Sequence, residues 1–302
     1  MKHLNHKRAL VTGAAGGIGR AIALELAQSG VDLLVADVNA VGLERTRRDA
    51  EDTGVECHAV YADLAARGEV ARLASEALDR WAGVDVLVNN AGVTYHGPTH
   101  TMPPEEIERL LDINLRAKLQ LTRALLPSLI ARPEAHVLNV CSVLGLSGMP
   151  RVAAYCTTKF AMVGFSEALR SEYGRVGLGV TALCPGFVST GLFSAARPER
   201  DGGPTKAPPA LLCVTPERVA RQAVRAIRRN RGRVVIDPIG GPIHGLKRLA
   251  PVLFDVLLSL GRNKRVRRKA DELAALHSDQ DQALRIKLGL SDETAAEQRR
   301  AA

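Results

Sequence analysis

Short apolar runs alternate with longer stretches of helical apolar spacing over most of the chain. The run Arg8–Thr12 is followed by a stretch to Gly30 in which Ile22, Leu24, Leu26 and Ala27 recur at helical spacing. This alternation predicts strands at residues 8–12, 31–36, 55–61, 84–89, 135–141, 179–183 and 234–236. It predicts helices at residues 20–30, 67–81, 104–115, 117–131 and 152–176. Regular strand–helix alternation with short connections predicts an α/β fold, a doubly wound parallel sheet with helices on both faces.

Polar and small residues stand at the carboxyl ends of the predicted strands. They are Thr12, Gly13, Asp37, Asp63, Asn89, Asn90, Ser142 and Pro185. Ligands of parallel sheets bind beyond the carboxyl ends of the strands, so we expect these residues to converge on one crevice. No repeat or low-complexity linker interrupts the alternation, which indicates one domain over residues 1–240.

A glycine-rich segment, residues 13–19, joins the first predicted strand to the first helix. Glycines in such a turn let backbone N–H groups approach a phosphate at the positive end of the helix. Asp37 ends the second predicted strand twenty residues after Gly17. A carboxylate at that place accepts hydrogen bonds from an adenosine ribose. Strand, glycine turn, helix, strand and acid in this order predict a dinucleotide site.

Tyr155 and Lys159 lie four residues apart and therefore on one face of the predicted helix at 152–176. An ammonium within a few ångström favours the phenolate and lowers the pKa of a phenol, which brings it into range for proton transfer. The pair by itself is a weak motif, because two surface residues of a helix give the same spacing. Ser142, thirteen residues before the tyrosine and across a loop, strengthens the interpretation as a catalytic site.

Assembled, these motifs resemble the short-chain dehydrogenase/reductase family in its single-domain form. The resemblance covers about residues 5–236 and rests on TGAAGGIG at 12–19, NNAG at 89–92, Ser142, YCTTK at 155–159 and PGFVST at 185–190. It implies a Rossmann-type fold, with Tyr155 as the catalytic acid/base and Ser142 hydrogen-bonded to the substrate oxygen. It implies that Lys159 favours the phenolate and holds the nicotinamide ribose, and that Asn114 anchors a water in the proton relay.

The resemblance also implies a set of cofactor contacts around the expected crevice. They are Gly13, Gly16, Gly17, Ile18, Gly19, Asp37, Asp63, Leu64, Asn90, Ala91, Gly92, Tyr155, Lys159, Pro185, Gly186, Val188 and Thr190. Asp37 decides the cofactor, because its carboxylate suits the free ribose hydroxyls of NAD and repels the 2′-phosphate of NADP. Relatives that prefer NADP carry a basic residue where this chain has Gly16 or Val38. We therefore predict NAD rather than NADP.

Residues 191–209 contain four prolines and three glycines, which excludes regular structure throughout. The resemblance implies a substrate lid there, at about residues 190–212. The predicted substrate contacts are Val143, Leu144, Phe187 and Phe193, with Leu146, Leu192, Thr94, Tyr95 and His96 as further candidate walls. Because these side chains are nearly all apolar or neutral, we expect a hydrophobic secondary alcohol or its ketone as substrate.

The amino-acid composition indicates the cellular compartment of the protein. The chain has 302 residues, of which 46% are hydrophobic and 24% charged, as in a soluble globular protein. Five scattered cysteines without C-x-x-C spacing favour a reducing cytoplasm and argue against disulfides or a metal site. No apolar run reaches the length of a membrane-spanning helix.

Residues 241–302 extend beyond the last predicted strand. Leu246, Leu249, Leu253, Val256, Leu257 and Leu260 follow helical spacing there. The net charge of +9 is concentrated in residues 206–270, which hold 16 Lys and Arg against 3 Asp and Glu. Three interpretations stay open: a helix over the pocket or a subunit interface, peripheral contact with an anionic membrane, and nucleic-acid binding. The last is disfavoured because no recognition module is present.

Two other functions fit parts of the sequence. One is a catalytically retired NAD-binding scaffold or redox sensor, against which the intact Ser142, Tyr155 and Lys159 argue. The other is an epimerase or dehydratase that uses the same tyrosine and lysine. Its relatives carry a TGxxGxxG turn rather than the TGxxxGxG found here. The resemblance further implies a homodimer or homotetramer formed through helices near residues 105–132 and 152–175.

Overall fold

The computed structural model describes residues 1–189, 197–198, 213–237 and 252. The chain divides into the units Met1–His244 and Gly245–Ala302, and the main sheet with its helices lies in the first. The predictions for the substrate lid, for Thr190, Leu192 and Phe193, and for the C-terminal extension lie outside the described residues.

The described strands are short and mostly buried. They are β1 (Arg8–Thr12), β2 (Asp32–Asp37), β3 (Cys57–Tyr61), β4 (Val86–Asn89), β5 (Tyr95–His96), β6 (Ala135–Val140), β7 (Leu178–Pro185), β8 (Phe187–Val188), β9 (Arg197–Pro198), β10 (Cys213–Val214) and β11 (Arg233–Ile236). The described α-helices are α1 (Gly17–Ala27), α2 (Ala40–Glu51), α3 (Glu69–Trp81), α4 (Pro104–Leu111), α5 (Ala117–Ile130), α6 (Ala153–Tyr173) and α7 (Pro216–Arg228). A π-helical turn, Asp112–Arg116, joins α4 to α5.

Seven of the described strands form one parallel sheet in the order β11-β7-β6-β4-β1-β2-β3. The order reverses between β1 and β4, where the chain returns from the β3 edge to the other side of β1. Ala9 pairs with Val86 and Val11 with Val88, so the carboxyl ends of these two strands adjoin. Such a switch point is the place where doubly wound sheets bind ligands. The predicted fold class is confirmed.

Apolar layers cover both faces of the sheet. Ala9 and Val11 face the layer that contains α1 and α7, whereas Leu10 between them faces the layer that contains α3 and α5. Strands buried on both faces read as continuous apolar runs, which is why the sequence revealed them so clearly. Within the described residues, none of the helices is long and apolar enough to cross a membrane.

Two helices were missing from the sequence-based prediction. α2 buries only Leu43, Thr46 and Ala50, so charged residues mask its apolar spacing. α7 buries mainly alanine and valine, which are weaker markers of a helical face than leucine. The residues at their N-termini are better sequence signals of these helices. In α7, the Thr215 hydroxyl accepts a hydrogen bond from the Arg218 N–H at 3.3 Å, and Pro216 is the first helical residue.

Candidate active site

The glycine turn occupies the predicted place at the N-terminus of α1. Gly13 and Gly17 have φ values of +66° and +53°, which glycine tolerates better than other residues. A Cβ on Gly19 would collide with the carbonyl oxygen of Gly13, so the turn packs too tightly there for a side chain. At Gly16, by contrast, a Cβ would meet no atom within 4 Å. This open space beside the helix N-terminus, where no side chain caps the backbone, fits a pyrophosphate group.

Asn90 ties the end of β4 to the glycine turn. Its side-chain amide donates to the carbonyl oxygens of Thr12 and Gly13 at 2.9 and 3.0 Å. The Thr12 hydroxyl donates to the Val88 carbonyl at 3.2 Å and accepts from the N–H of Ala91 at 3.1 Å. Sequence reasoning missed this fixing role of Thr12 and Asn90. The predicted contacts of Asn90 and Ala91 with the cofactor remain predictions.

Asp37 lies at the carboxyl end of β2, directly beside the glycine turn. Its two carboxylate oxygens accept hydrogen bonds from the N–H groups of Ala15 and Asn39, each at 2.9 Å. These bonds fix an anionic group at the crevice. Asp63 is exposed two residues after β3, and Leu64 packs against the apolar layer that contains α3 and α5. Their predicted cofactor contacts remain predictions.

Ser142 follows β6 and begins a 3₁₀ turn, Val143–Gly145. Its hydroxyl oxygen accepts from the N–H of Leu144 at 3.1 Å, which leaves the hydroxyl proton for another acceptor. A Cβ on Gly145 would lie 2.6 Å from the carbonyl oxygen of Lys159, so the turn rests directly on α6. Val143 and Leu144, two predicted substrate contacts, are half-buried in this turn.

Tyr155 and Lys159 lie one turn apart in the first half of α6, and both are buried. The Lys159 Nζ atom is 5.4 Å from the centroid of the Tyr155 ring. It donates to the carbonyl oxygen of Val140, the last residue of β6, at 3.0 Å. The structure therefore brings this pair to the strand end that precedes Ser142.

Asn114 is fully buried in the π-helical turn between α4 and α5. Its amide binds both backbone groups of Val93: the oxygen accepts from the N–H at 2.8 Å, and the nitrogen donates to the carbonyl at 2.9 Å. The nitrogen also donates to the Thr158 hydroxyl at 3.3 Å. A Cβ on Gly92 would lie 3.1 Å from the Asn114 oxygen and 3.8 Å from the Lys159 Nζ. Gly92, Asn114 and Lys159 thus belong to one site, and the water-anchoring role of Asn114 remains a prediction.

An apolar cluster surrounds Tyr155. Its buried members are Tyr95, Leu110, Val152, Tyr155 and Cys156, and partly buried Val93, Met102, Leu144, Met149 and Ala154 pack against them. Tyr95 and Leu144 were predicted as pocket walls from the sequence. Cys141, which precedes Ser142, and Cys156, which follows Tyr155, are both buried.

Further predicted residues lie at the end of β7 and directly after it. Pro185 is its last residue, and a Cβ on Gly186 would collide with the carboxylate of Asp237 after β11. Val188 is buried in β8, which pairs in parallel with β10, and Phe187 beside it is half-buried.

A second buried lysine near Lys159 was missed from the sequence. Lys118, on α5, is only 1% exposed, and its Nζ atom donates to the same Val140 carbonyl at 3.4 Å. Burial and the nearby charge of Lys159 hold its pKa well below the usual lysine value. A signal was present, because Lys118 precedes Leu121 and Leu125 at helical spacing on the buried face of α5.

Residues 7–201 match the model of the short chain dehydrogenase family. Estradiol 17-beta-dehydrogenase 11 of Mus musculus is 32% identical over 248 residues, covering 81% of this chain and 80% of that protein. The chain therefore belongs to the short chain dehydrogenase family.

Solved structures show the same relationship. A short chain dehydrogenase/reductase from Burkholderia phymatum, in complex with NAD, is 28% identical and superposes with a TM-score of 0.75, covering 84% of this chain and 96% of that one. A short-chain dehydrogenase from Sphingobium yanoikuyae, in complex with NADPH, is 25% identical with a TM-score of 0.71, covering 86% of this chain and 98% of that one.

Proposed function

We propose that this protein is a nicotinamide-dependent oxidoreductase that interconverts a hydrophobic secondary alcohol and its ketone. The observation that carries the proposal is the placement of Tyr155, buried in an apolar cluster with the Lys159 ammonium 5.4 Å from its ring centroid. This arrangement gives an apolar molecule a place beside a group that can take and return a proton.

The residues of the chain supply proton transfer and orientation. In alcohol oxidation, the Tyr155 phenolate accepts the hydroxyl proton, while the Lys159 ammonium stabilises the phenolate. The Ser142 hydroxyl donates to the reacting oxygen and fixes its position. The nicotinamide, when bound, supplies the hydride chemistry. In ketone reduction, Tyr155 returns its proton to the oxygen.

We propose NAD as the preferred cofactor. The glycine turn and the N-terminus of α1 would hold the pyrophosphate, and the fixed carboxylate of Asp37 would accept from the adenosine ribose. Val38, the residue after this acid, is exposed and uncharged, so no basic group stands there to bind a 2′-phosphate. The NAD bound in the Burkholderia phymatum structure supports this proposal. The Sphingobium yanoikuyae structure contains NADPH, so the preference of this chain for NAD over NADP must be measured.

Two observations support a hydrophobic alcohol or ketone as substrate: the apolar cluster around Tyr155 and the similarity to a known dehydrogenase. Tyr95, Leu110 and Val152 offer no charge to a substrate at Tyr155. The similarity to an estradiol 17-beta-dehydrogenase supports a bulky, apolar alcohol as substrate.

We further propose that the protein is a cytoplasmic homodimer or homotetramer. The basic extension after residue 240 would provide peripheral contact with a membrane.

A substrate panel tests the function. The full chain is incubated with NAD and secondary alcohols of graded polarity, or with NADH and the matching ketones, and the absorbance of reduced nicotinamide is followed. We expect turnover with apolar members and a kcat/KM that falls as the alcohol gains charged groups. Binding of NADH without turnover of any alcohol or ketone would contradict the proposal and favour the retired scaffold.

A further inference from the structure

Two lysines from different helices share one backbone acceptor behind the proposed active site. The Nζ atoms of Lys159 on α6 and Lys118 on α5 lie 3.0 and 3.4 Å from the carbonyl oxygen of Val140. Their separation therefore cannot exceed the sum of these distances. Lys159 is 4% exposed and Lys118 is 1% exposed, so solvent and salt screen their interaction much less than at the surface.

Val140 is well placed to hold both groups. It is the last residue of β6 and lies beyond Asn89 and Asn139, the last residues that pair β4 with β6. Cys141 and Ser142 follow it directly. The shared carbonyl thus couples the position of Lys118 to both Lys159 and the strand end that carries Ser142.

The surroundings of this lysine pair permit one cation more readily than two. Two ammonium ions on one oxygen repel strongly in protein of low dielectric constant. The ionisable groups that act on Lys118 are Lys159 from α6 and the Cys141 thiol from the end of β6. Burial first, and Lys159 second, hold the pKa of Lys118 well below the usual value, whereas the Cys141 thiol raises it.

The Cys141 thiol acts against burial and Lys159, because it raises the pKa of Lys118. A hydrogen bond with Cys184 lowers the pKa of Cys141 itself, Lys159 and Lys118 lower it further, and burial opposes this shift. A lysine kept in such a place costs more stability than an apolar residue of similar volume. Buried groups with displaced pKa values concentrate at functional sites, which points to a use for Lys118.

We propose that Lys118 is a positioning residue: its neutral amine shares the Val140 carbonyl and leaves Lys159 as the single cation beside Tyr155. When Lys118 takes up a proton, repulsion drives the Lys159 ammonium from the Val140 carbonyl. This displacement weakens the electrostatic support of the Tyr155 phenolate and of the bound nucleotide. This inference rests on the proposed oxidoreductase function.

The test compares Lys118→Met with the wild type across the acid side of neutrality. The matched control is Leu125→Met, which alters a fully buried side chain of the same helix without altering charge. In Lys118→Met we expect the acid limb of the kcat profile for alcohol oxidation to shift by on the order of one pH unit toward lower pH. The control should retain the wild-type limb. Coincident limbs for Lys118→Met and wild type would overturn the inference.

A substrate-free measurement separates this inference from the proposed function. The dissociation constant of NADH, from its fluorescence, is measured over the same pH range for all three proteins. The loss of affinity on acidification should shift in Lys118→Met alone, even if no alcohol in the panel is oxidised. Identical NADH profiles for Lys118→Met and wild type would overturn the role of Lys118. Lys118→Gln provides a second uncharged variant if the methionine variant does not fold.

Discussion

The Nζ atom of Lys159 lies 5.4 Å from the centroid of the Tyr155 ring, within the range of about 6 Å over which a cation and an aromatic face attract. The hydrogen bond to Val140 fixes the ammonium at the end of β6. α6 fixes both side chains relative to each other, because residues four apart lie one helical turn apart. The relative position of Tyr155 and Lys159 is therefore fixed by α6 and by the end of β6.

Tyr155→Phe should remove turnover while cofactor binding persists. The variant keeps the ring in the apolar cluster but loses the oxygen that exchanges the proton. Loss of general acid–base catalysis should lower kcat by roughly 10²- to 10⁴-fold. The control is Tyr173→Phe, which changes the same group at the end of α6, away from the site, and should retain activity. A Tyr155→Phe enzyme with wild-type kcat would contradict the acid/base assignment, and NADH fluorescence checks binding.

Gly16→Ala should weaken cofactor binding without harming the fold. The new methyl group meets no protein atom within 4 Å and the backbone is extended, so stability should change by less than about 1 kcal/mol. The methyl group would occupy the space that we assign to the pyrophosphate. We therefore expect the KM for NAD to rise at least about tenfold, which corresponds to a loss of about 1.4 kcal/mol of binding free energy. Unchanged affinity would place the phosphates elsewhere.

Gly164→Ala is the matched control for this glycine. A Cβ at this exposed position in α6 also meets no atom within 4 Å. It should stabilise the protein by roughly 0.5–1 kcal/mol through helix propensity and leave the KM for NAD unchanged. Urea unfolding and steady-state kinetics measure the two effects separately.

Asp37→Asn should move the cofactor preference toward NADP. The amide oxygen can still accept from the Ala15 N–H, but the negative charge that repels a 2′-phosphate is gone. We expect the ratio of kcat/KM for NADP to that for NAD to rise by about tenfold or more. The control is Asp32→Asn at the opposite end of β2, which should leave the ratio unchanged. An unchanged ratio in Asp37→Asn would remove this carboxylate from cofactor selection.

The sheet and the placement of Tyr155 and Lys159 on one helical face could be predicted because each follows from a local pattern. Strands buried on both faces appear as apolar runs, and the spacing of Tyr155 and Lys159 defines one helical face. The π-helical turn around Asn114 could not be predicted in this way, because its extra residue per turn shifts the apolar register within a run that reads as helix.

The polar connections of the site also escaped the sequence. Thr12 with Asn90, and Lys118 with Val140, join residues far apart in the chain, and such pairs follow from the packing of strands and helices rather than from spacing. Lys118 was hidden further because lysine is expected on a solvated face. Lys118 lies on the buried face of α5 with Leu121 and Leu125, and a charged residue among such apolar positions indicates a buried polar group.

His136 on β6 should make the protein sensitive to acid. It is buried, and its ring contacts the Thr181 hydroxyl at 2.8 Å. Burial, with smaller effects of the N-terminal charge and Arg170, lowers its pKa from 6.5 to about 3. Between these two values the unfolded chain binds a proton that the folded chain does not, so the free energy of unfolding decreases as the pH falls.

The expected loss is up to about 1.4 kcal/mol for each pH unit in this range, on the order of 4–5 kcal/mol when complete. His136→Asn removes the titrating group, so its free energy of unfolding should depend less on pH between about 6.5 and 3 by this amount, whatever its value at neutral pH. Urea unfolding of both proteins at several pH values measures the difference. Parallel curves for the two proteins would show that His136 is protonated alike in the folded and unfolded chain, and the acid sensitivity would then belong to other groups.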